Sequence, residues 1–124
     1  MTTETNLKIY HLPTCSTCKL AIKTLKQHGY TLDDQDIREQ PPTVEELSKL
    51  IPLSGLPIGK WFNTSGDAYR ELGLKDKMKT MSEADKIALL SSNGMLIKRP
   101  VVSNGSRVTV GHREPDFGSA WGQL

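Results

Sequence analysis

The chain has no apolar stretch approaching the roughly 20 residues that a membrane-spanning helix needs. Its N-terminus, Met1 to Asn6, is polar, carries no apolar signal core and is expected to be a disordered tail. Charge of one sign is also lacking: 16 basic residues against 14 acidic ones leave a formal net charge of +2. That balance excludes nucleic-acid binding through bulk charge, so neither direct nucleic-acid contact nor a membrane partner is expected. Cysteine is scarce: there are two, three positions apart, which is poor material for a structural staple. Internal repeats and low-complexity segments are missing as well. What remains is an ordinary composition, 36% hydrophobic and 24% charged over 124 residues, long enough for one domain with its own core. The expected location is the cytoplasm, where thiols are kept largely reduced.

Both cysteines fall in His11-Leu12-Pro13-Thr14-Cys15-Ser16-Thr17-Cys18-Lys19. A short apolar run, Leu7–Tyr10, precedes this stretch and reads as a strand. Leu20, Ile22 and Leu25 follow at helical spacing, and His28-Gly29 closes the pattern, so a helix is expected from about Ser16 to His28. Cys-x-x-Cys therefore sits where a strand turns into a helix. There, free backbone N–H groups and the positive end of the helix dipole stabilise a sulfur anion. In such motifs the first thiol ionises well below its ordinary pKa of about 8.5. Cys15 is thus the candidate nucleophile. Cys18, one turn on, is the candidate resolver that closes an intramolecular disulfide. Two other readings stand beside this one. The pair could be inert buried cysteines, or part of a zinc site, for which only His11, His28 and His112 could complete four ligands. Lys19 is expected to face solvent.

Further along, Tyr30–Ile37 alternates weakly and reads as a second strand despite Asp33-Asp34-Gln35-Asp36. Gln40-Pro41-Pro42 breaks the chain. Thr43-Val44-Glu45-Glu46 has the form of a capping box, opening a helix to about Leu53 with Val44, Leu47, Leu50 and Ile51 on one face. Trp61-Phe62 belongs to a short helical piece and is expected in the core. Asp67–Leu72 reads as another short helix, and Ser82 starts one that closes near Asn93-Gly94. Met95–Val102 is an apolar extended run, Ser103-Asn104-Gly105-Ser106 a turn and Arg107–Gly111 a second strand, giving a hairpin. Pro115–Trp121 reads as a closing helix. The order is β-α-β, several helices, then β-β-α: an α/β chain with the outline of a thioredoxin-like sheet interrupted by a helical insertion.

Lys98-Arg99-Pro100 interrupts the apolar run before the third strand. A proline there suits a turn, and Pro100 is a candidate for a cis peptide. In a thioredoxin-like sheet this segment passes beside the cysteines, so Arg99 would place a cation near the thiolate. The alternative is a solvated Lys-Arg pair before a turn.

Pro13–Lys19, Gln40–Thr43, Phe62–Gly66, Tyr69–Leu74 and Leu96–Pro100, in that order, resemble the arsenate-reductase-like (ArsC) family, which also contains the Spx/MgsR redox regulators. The resemblance covers about residues 7–121. It implies one thioredoxin-like domain, 1–124, with a helical insertion at about 43–93 and no resident cofactor. Glutaredoxin-coupled arsenate reductases use one cysteine, matched by Cys15, and three arginines, of which Arg99 matches one. The other two positions fall near Asn63 and Val110-Gly111, which carry no charge. The Spx/MgsR regulators keep Cys-x-x-Cys as an oxidation switch and contact the C-terminal domain of the α chain of RNA polymerase. The glycine they use for that contact matches Gly55. The resemblance thus implies a Cys15–Cys18 dithiol switch acting as a redox-responsive regulator. The alternative is a thiol-dependent reductase of the arsenate or general disulfide type, served by glutathione with glutaredoxin, or by thioredoxin.

Overall fold

The structure, a computed structural model, describes residues 5–112 and 116–122. It is a mixed α/β protein that divides into two compact units: residues up to Asp36 together with those from Arg99 onward, and Ile37–Lys98.

The first unit holds a four-stranded sheet in the order β2-β1-β3-β4. Strand β1 is Asn6–His11, β2 Thr31–Asp36, β3 Val101–Ser103 and β4 Val108–Val110. β1 pairs in parallel with β2 and antiparallel with β3, and β3 with β4 is the expected hairpin. Asn6 is thus part of β1, and the Thr5 carbonyl accepts the Thr31 N–H at 2.8 Å, so the expected tail does not reach that far. Residues 1–4 lie outside the described residues. β2 forms in spite of its acidic residues because its backbone pairs with β1 along six positions. Leu32 and Gln35 turn inward while Asp33 and Asp34 stay exposed on an edge strand, where charge is tolerated.

Between β1 and β2 runs helix α1, Ser16–Gln27. It buries Cys18, Ala21 and Leu25, spaced i, i+3, i+7. Leu20, which the spacing placed on the apolar face, is 53% exposed. The helix ends at Gly29, whose φ of 100° only a glycine adopts readily. There the Gly29 N–H donates to the Lys26 carbonyl and the Tyr30 N–H to the Leu25 carbonyl, each at 3.1 Å. This pair of bonds satisfies the last turn and sends the chain into β2. Leu7, Ile9, Ala21, Leu25, Val102, Phe117 and Trp121 form the core, with Tyr30 and Leu32 packed against it. Helix α6, Asp116–Ala120, supplies Phe117. Pro115, the expected start of that helix, is outside the described residues. Three side chains hold the end of α6 and the residues after it: Arg107 Nη1 donates to the Ala120 carbonyl at 2.8 Å, the Tyr30 hydroxyl to the Gly122 carbonyl at 2.9 Å, and His28 Nδ1 lies 2.7 Å from the Trp121 carbonyl.

The second unit is helical: α2 (Val44–Ser54), a 3-10 turn (Ile58–Trp61), α3 (Asp67–Glu71), α4 (Leu74–Lys77), α5 (Glu83–Ser92) and a second 3-10 turn (Gly94–Leu96). The Thr43 capping box is present, with Glu46 N–H donating to Thr43 Oγ1 at 3.1 Å and Thr43 N–H to Glu46 Oε1 at 3.0 Å. Leu47, Leu50 and Ile51 are buried, whereas Val44, in the first turn, is 46% exposed. Trp61 and Phe62 are core residues. The indole of Trp61 donates to Ser54 Oγ at 3.1 Å, and Phe62 bridges Ile97. The expected extended run from Met95 begins instead as a 3-10 turn, because Gly94 packs on the backbone of Ile37. A Cβ at residue 94 would stand 2.0 Å from the Ile37 carbonyl oxygen, so no other residue fits there without a shift.

Candidate active site

The site is built in the first unit by two chain segments remote in sequence. β1 ends at His11. Leu12 is buried, and its carbonyl accepts the Cys15 N–H at 2.9 Å, closing the turn that presents Cys15 as the N-cap of α1. The ordinary N-cap side chain is a hydroxyl or carboxylate that accepts an N–H from the first turn. Here a sulfur takes that place: the Cys18 N–H donates to Cys15 Sγ at 3.3 Å. Both cysteines are free thiols, Cys15 partly exposed and Cys18 fully buried. From the other end of the chain, the Arg99–Pro100 peptide is cis and precedes β3. Pro100 is buried, and its carbonyl accepts the Gly111 N–H at 2.8 Å, which ties this corner to the end of β4. Of the Lys98-Arg99 pair, Lys98 is exposed and Arg99 only partly so.

The two thiols are driven apart in acidity. Burial works against the Cys15 anion. It is outweighed by hydrogen bonds from the Cys18 thiol and backbone, then by the charge and hydrogen bonding of Arg99, so the Cys15 pKa falls below the ordinary value. Burial pushes Cys18 the other way. Its hydrogen bond to Cys15 adds to this, the Leu12 backbone opposes it, and the pKa rises to about 12. The anion is thus favoured on Cys15 and the proton is held on Cys18.

Sequence reasoning passed over Leu12, whose backbone contributes to both cysteines; a buried residue just before a strand-to-helix turn is the signal that marks it. His11 entered the sequence reading only as a candidate zinc ligand. This side chain is buried, and its Nε2 lies 3.2 Å from Asp34 Oδ2 of β2, a partner only the parallel register supplies. His28 meets the Trp121 carbonyl, and the His112 ring lies tilted against Phe117 with centroids 4.4 Å apart. Among the described residues no three of His, Cys, Asp and Glu gather as a metal-ligand set. Lys19 is exposed, as expected. Gly55 lies in the second unit, exposed at the C-terminal end of α2 between Leu53 and Leu56, which are 43% and 39% exposed. Asn63 is also in that unit, its N–H donating to the Leu96 carbonyl at 2.8 Å.

A β-α-β start with Cys-x-x-Cys on its helix, a cis-proline before the antiparallel β3 and a helical insertion between the halves define a thioredoxin-like protein. A model of the ArsC family matches residues 10–119, and the chain belongs to that family. It is 49% identical over 116 residues to the uncharacterized protein YusI of Bacillus subtilis, covering 94% of this chain and 98% of that one. It is 33% identical to an arsenate reductase of Yersinia enterocolitica, over 78% of this chain and 67% of the relative. With the regulatory protein MgsR of Bacillus subtilis it shares 25% identity, over 88% and 85%. Among solved structures, an ArsC-family-related protein of Bacteroides fragilis superposes with a TM-score of 0.86 at 44% identity, over 91% and 95% of the two chains. No helix among the described residues is long and apolar enough to cross a membrane.

Proposed function

We propose that the chain is a thiol-disulfide redox protein in which Cys15 attacks and Cys18 resolves, and that the reversible disulfide serves a redox-responsive regulator. The observation that carries the dithiol reading is the Cys18 N–H at 3.3 Å from Cys15 Sγ, together with the opposite acidities of the two thiols. With a peroxide, the Cys15 thiolate takes one oxygen and hydroxide leaves. The resulting sulfenic acid is displaced by the Cys18 thiol, its oxygen departs as water, and the disulfide closes. With a disulfide, Cys15 attacks one sulfur and the other leaves as a thiolate. Once Cys15 is bonded, its negative charge disappears, and with it two of the influences that hold the Cys18 proton. Cys18 thus becomes a better nucleophile at the moment it is needed.

Regulation is favoured over oxyanion turnover by the charge around the sulfur. Arg99 stands in the position of one arginine of the arsenate reductases, while Asn63 and Val110-Gly111 stand where the other two fall. A single cation supplies few of the charge-assisted bonds that an arsenate dianion needs. The exposed Leu53-Ser54-Gly55-Leu56 turn is the proposed contact for the C-terminal domain of the RNA polymerase α chain. The identity to an arsenate reductase supports the second reading, a thiol-dependent reductase served by glutathione with glutaredoxin or by thioredoxin.

Mild peroxide should remove two hydrogens from the intact mass, restored by dithiothreitol. Cys15→Ser should abolish this, and Cys18→Ser should leave an oxygen adduct on Cys15. Overoxidised monothiol species in the unaltered protein would end the resolving role of Cys18. Arsenate turnover with either thiol system would decide for the reductase. Capture of the polymerase α chain that changes with oxidant, without turnover, would decide for the regulator.

A further inference from the structure

Helix α1 carries Lys19, Lys23 and Lys26 and not one acidic residue. At 3.6 residues per turn these positions fall within about 60° of one another, opposite the face that buries Cys18, Ala21 and Leu25. All three lysines are exposed, and none has an acidic side chain within ion-pair distance among the described residues. Leu20 lies on the flank of this face, about 60° beyond Lys23, and exposes 53% of its surface although it belongs to an otherwise well-patterned helix. None of the three acidic residues of β2 pairs with the stripe: Asp33 pairs with Lys8, Asp34 with His11, and Asp36 forms no ion pair with Lys19, Lys23 or Lys26. The stripe therefore begins next to the N-cap sulfur and runs about 10 Å along the helix axis.

We infer that the exposed face of α1 is the docking surface for the redox partner of Cys15, and that this partner is a protein presenting an acidic surface beside its reactive sulfur. The inference rests on the dithiol reading above and deepens it. Charge complementarity selects the partner. Unpaired lysines in a row attract anionic surface and raise the rate of encounter at low salt. The length of the stripe, with the exposed Leu20 beside it, selects a macromolecule over a small anion. The partner's disulfide sulfur is attacked by the Cys15 thiolate, its second sulfur leaves as a thiolate, and Cys18 then closes the intramolecular disulfide and releases the partner as its thiol.

The test uses the whole chain and three synthetic 12-residue peptides, each with one cysteine held as a mixed disulfide with thionitrobenzoate. Six glutamates, six serines or six lysines flank that cysteine. Release of thionitrobenzoate is followed at 412 nm, and every rate is divided by the rate with the small uncharged reagent 2,2′-dipyridyl disulfide. The acidic peptide is expected to react about tenfold faster than the neutral one in 10 mM salt, and the basic peptide slower. This order should collapse in 0.5 M salt. In Lys23→Glu/Lys26→Glu the order should invert, and in Lys23→Gln/Lys26→Gln it should flatten, with the dipyridyl disulfide rate unchanged in both. Equal normalised rates for the three peptides at low salt would overturn the docking surface, as would an acidic preference that survives in the glutamate variant. Self-association of the unaltered chain at low salt, lost in the glutamate variant, would assign the stripe to a second copy and overturn it too. Failure of Cys15 to react with dipyridyl disulfide would instead overturn the dithiol reading itself.

Discussion

The two units start their helices by the same device and put it to different use. In the helical unit, α2 and α5 are capped by Thr43 and Ser82, whose hydroxyls accept the N–H groups of Glu46 and Asp85. Both first turns carry acids, Glu45 and Glu46 in one and Glu83 and Asp85 in the other, which already answer the positive end of the helix. In the sheet unit, α1 is capped by the sulfur of Cys15, and its first turn has no acid at all. The dipole and the free N–H groups there remain available to an anion that comes and goes. Stabilising a helix and activating a thiol are the same interaction; what differs is whether a permanent carboxylate has been placed to use it first.

Three changes break or sharpen this contrast. Arg99→Ala should have the largest effect. It removes the side-chain cation that, among the described residues, favours the Cys15 thiolate, so the Cys15 pKa rises and the pH–rate profile for an anionic disulfide reagent moves to higher pH. On the acid side of the profile, where the thiolate is the minor form, the rate should drop about tenfold. An unmoved profile would place Arg99 away from the sulfur. Thr43→Ala comes next. Removing the cap should lower stability by about 1 kcal/mol, read as a lower urea midpoint, with the Cys15 rate per folded molecule unaltered. A changed Cys15 rate would mean that the caps of the two units are not independent. Thr17→Glu is the smallest. It supplies α1 with the first-turn acid that α2 and α5 possess, and should slow Cys15 by about threefold through like charge. No slowing at low salt would show that the empty first turn is not what favours the thiolate.

Much of this was legible in the chain because it is local. Thr43 and Glu46 reach each other within one turn, so the capping box could be read directly. The Cys-x-x-Cys spacing likewise sets Cys15 and Cys18 on neighbouring turns whatever else the molecule does. Errors arise where a partner surface decides. Leu20 and Val44 continue an apolar repeat, but a helix has several faces, and only the packed neighbours choose which is covered. The β2 segment alternates only weakly, and it is pairing with β1 that makes the expected strand. The short helix Leu74–Lys77 has no pattern long enough to be read, and Met95 turns tightly because Gly94 must meet the Ile37 carbonyl.

The sequence by itself determined the chemistry available to this protein: two thiols one helical turn apart at a helix start, with a single proline-linked arginine elsewhere. It could do so because adjacency along a helix is fixed by backbone geometry. Only the tertiary structure decided that Arg99 stands beside Cys15 and that burial holds the Cys18 proton. Each of those depends on which segments the sheet brings together across some 80 residues of chain, and no local interaction encodes that distance.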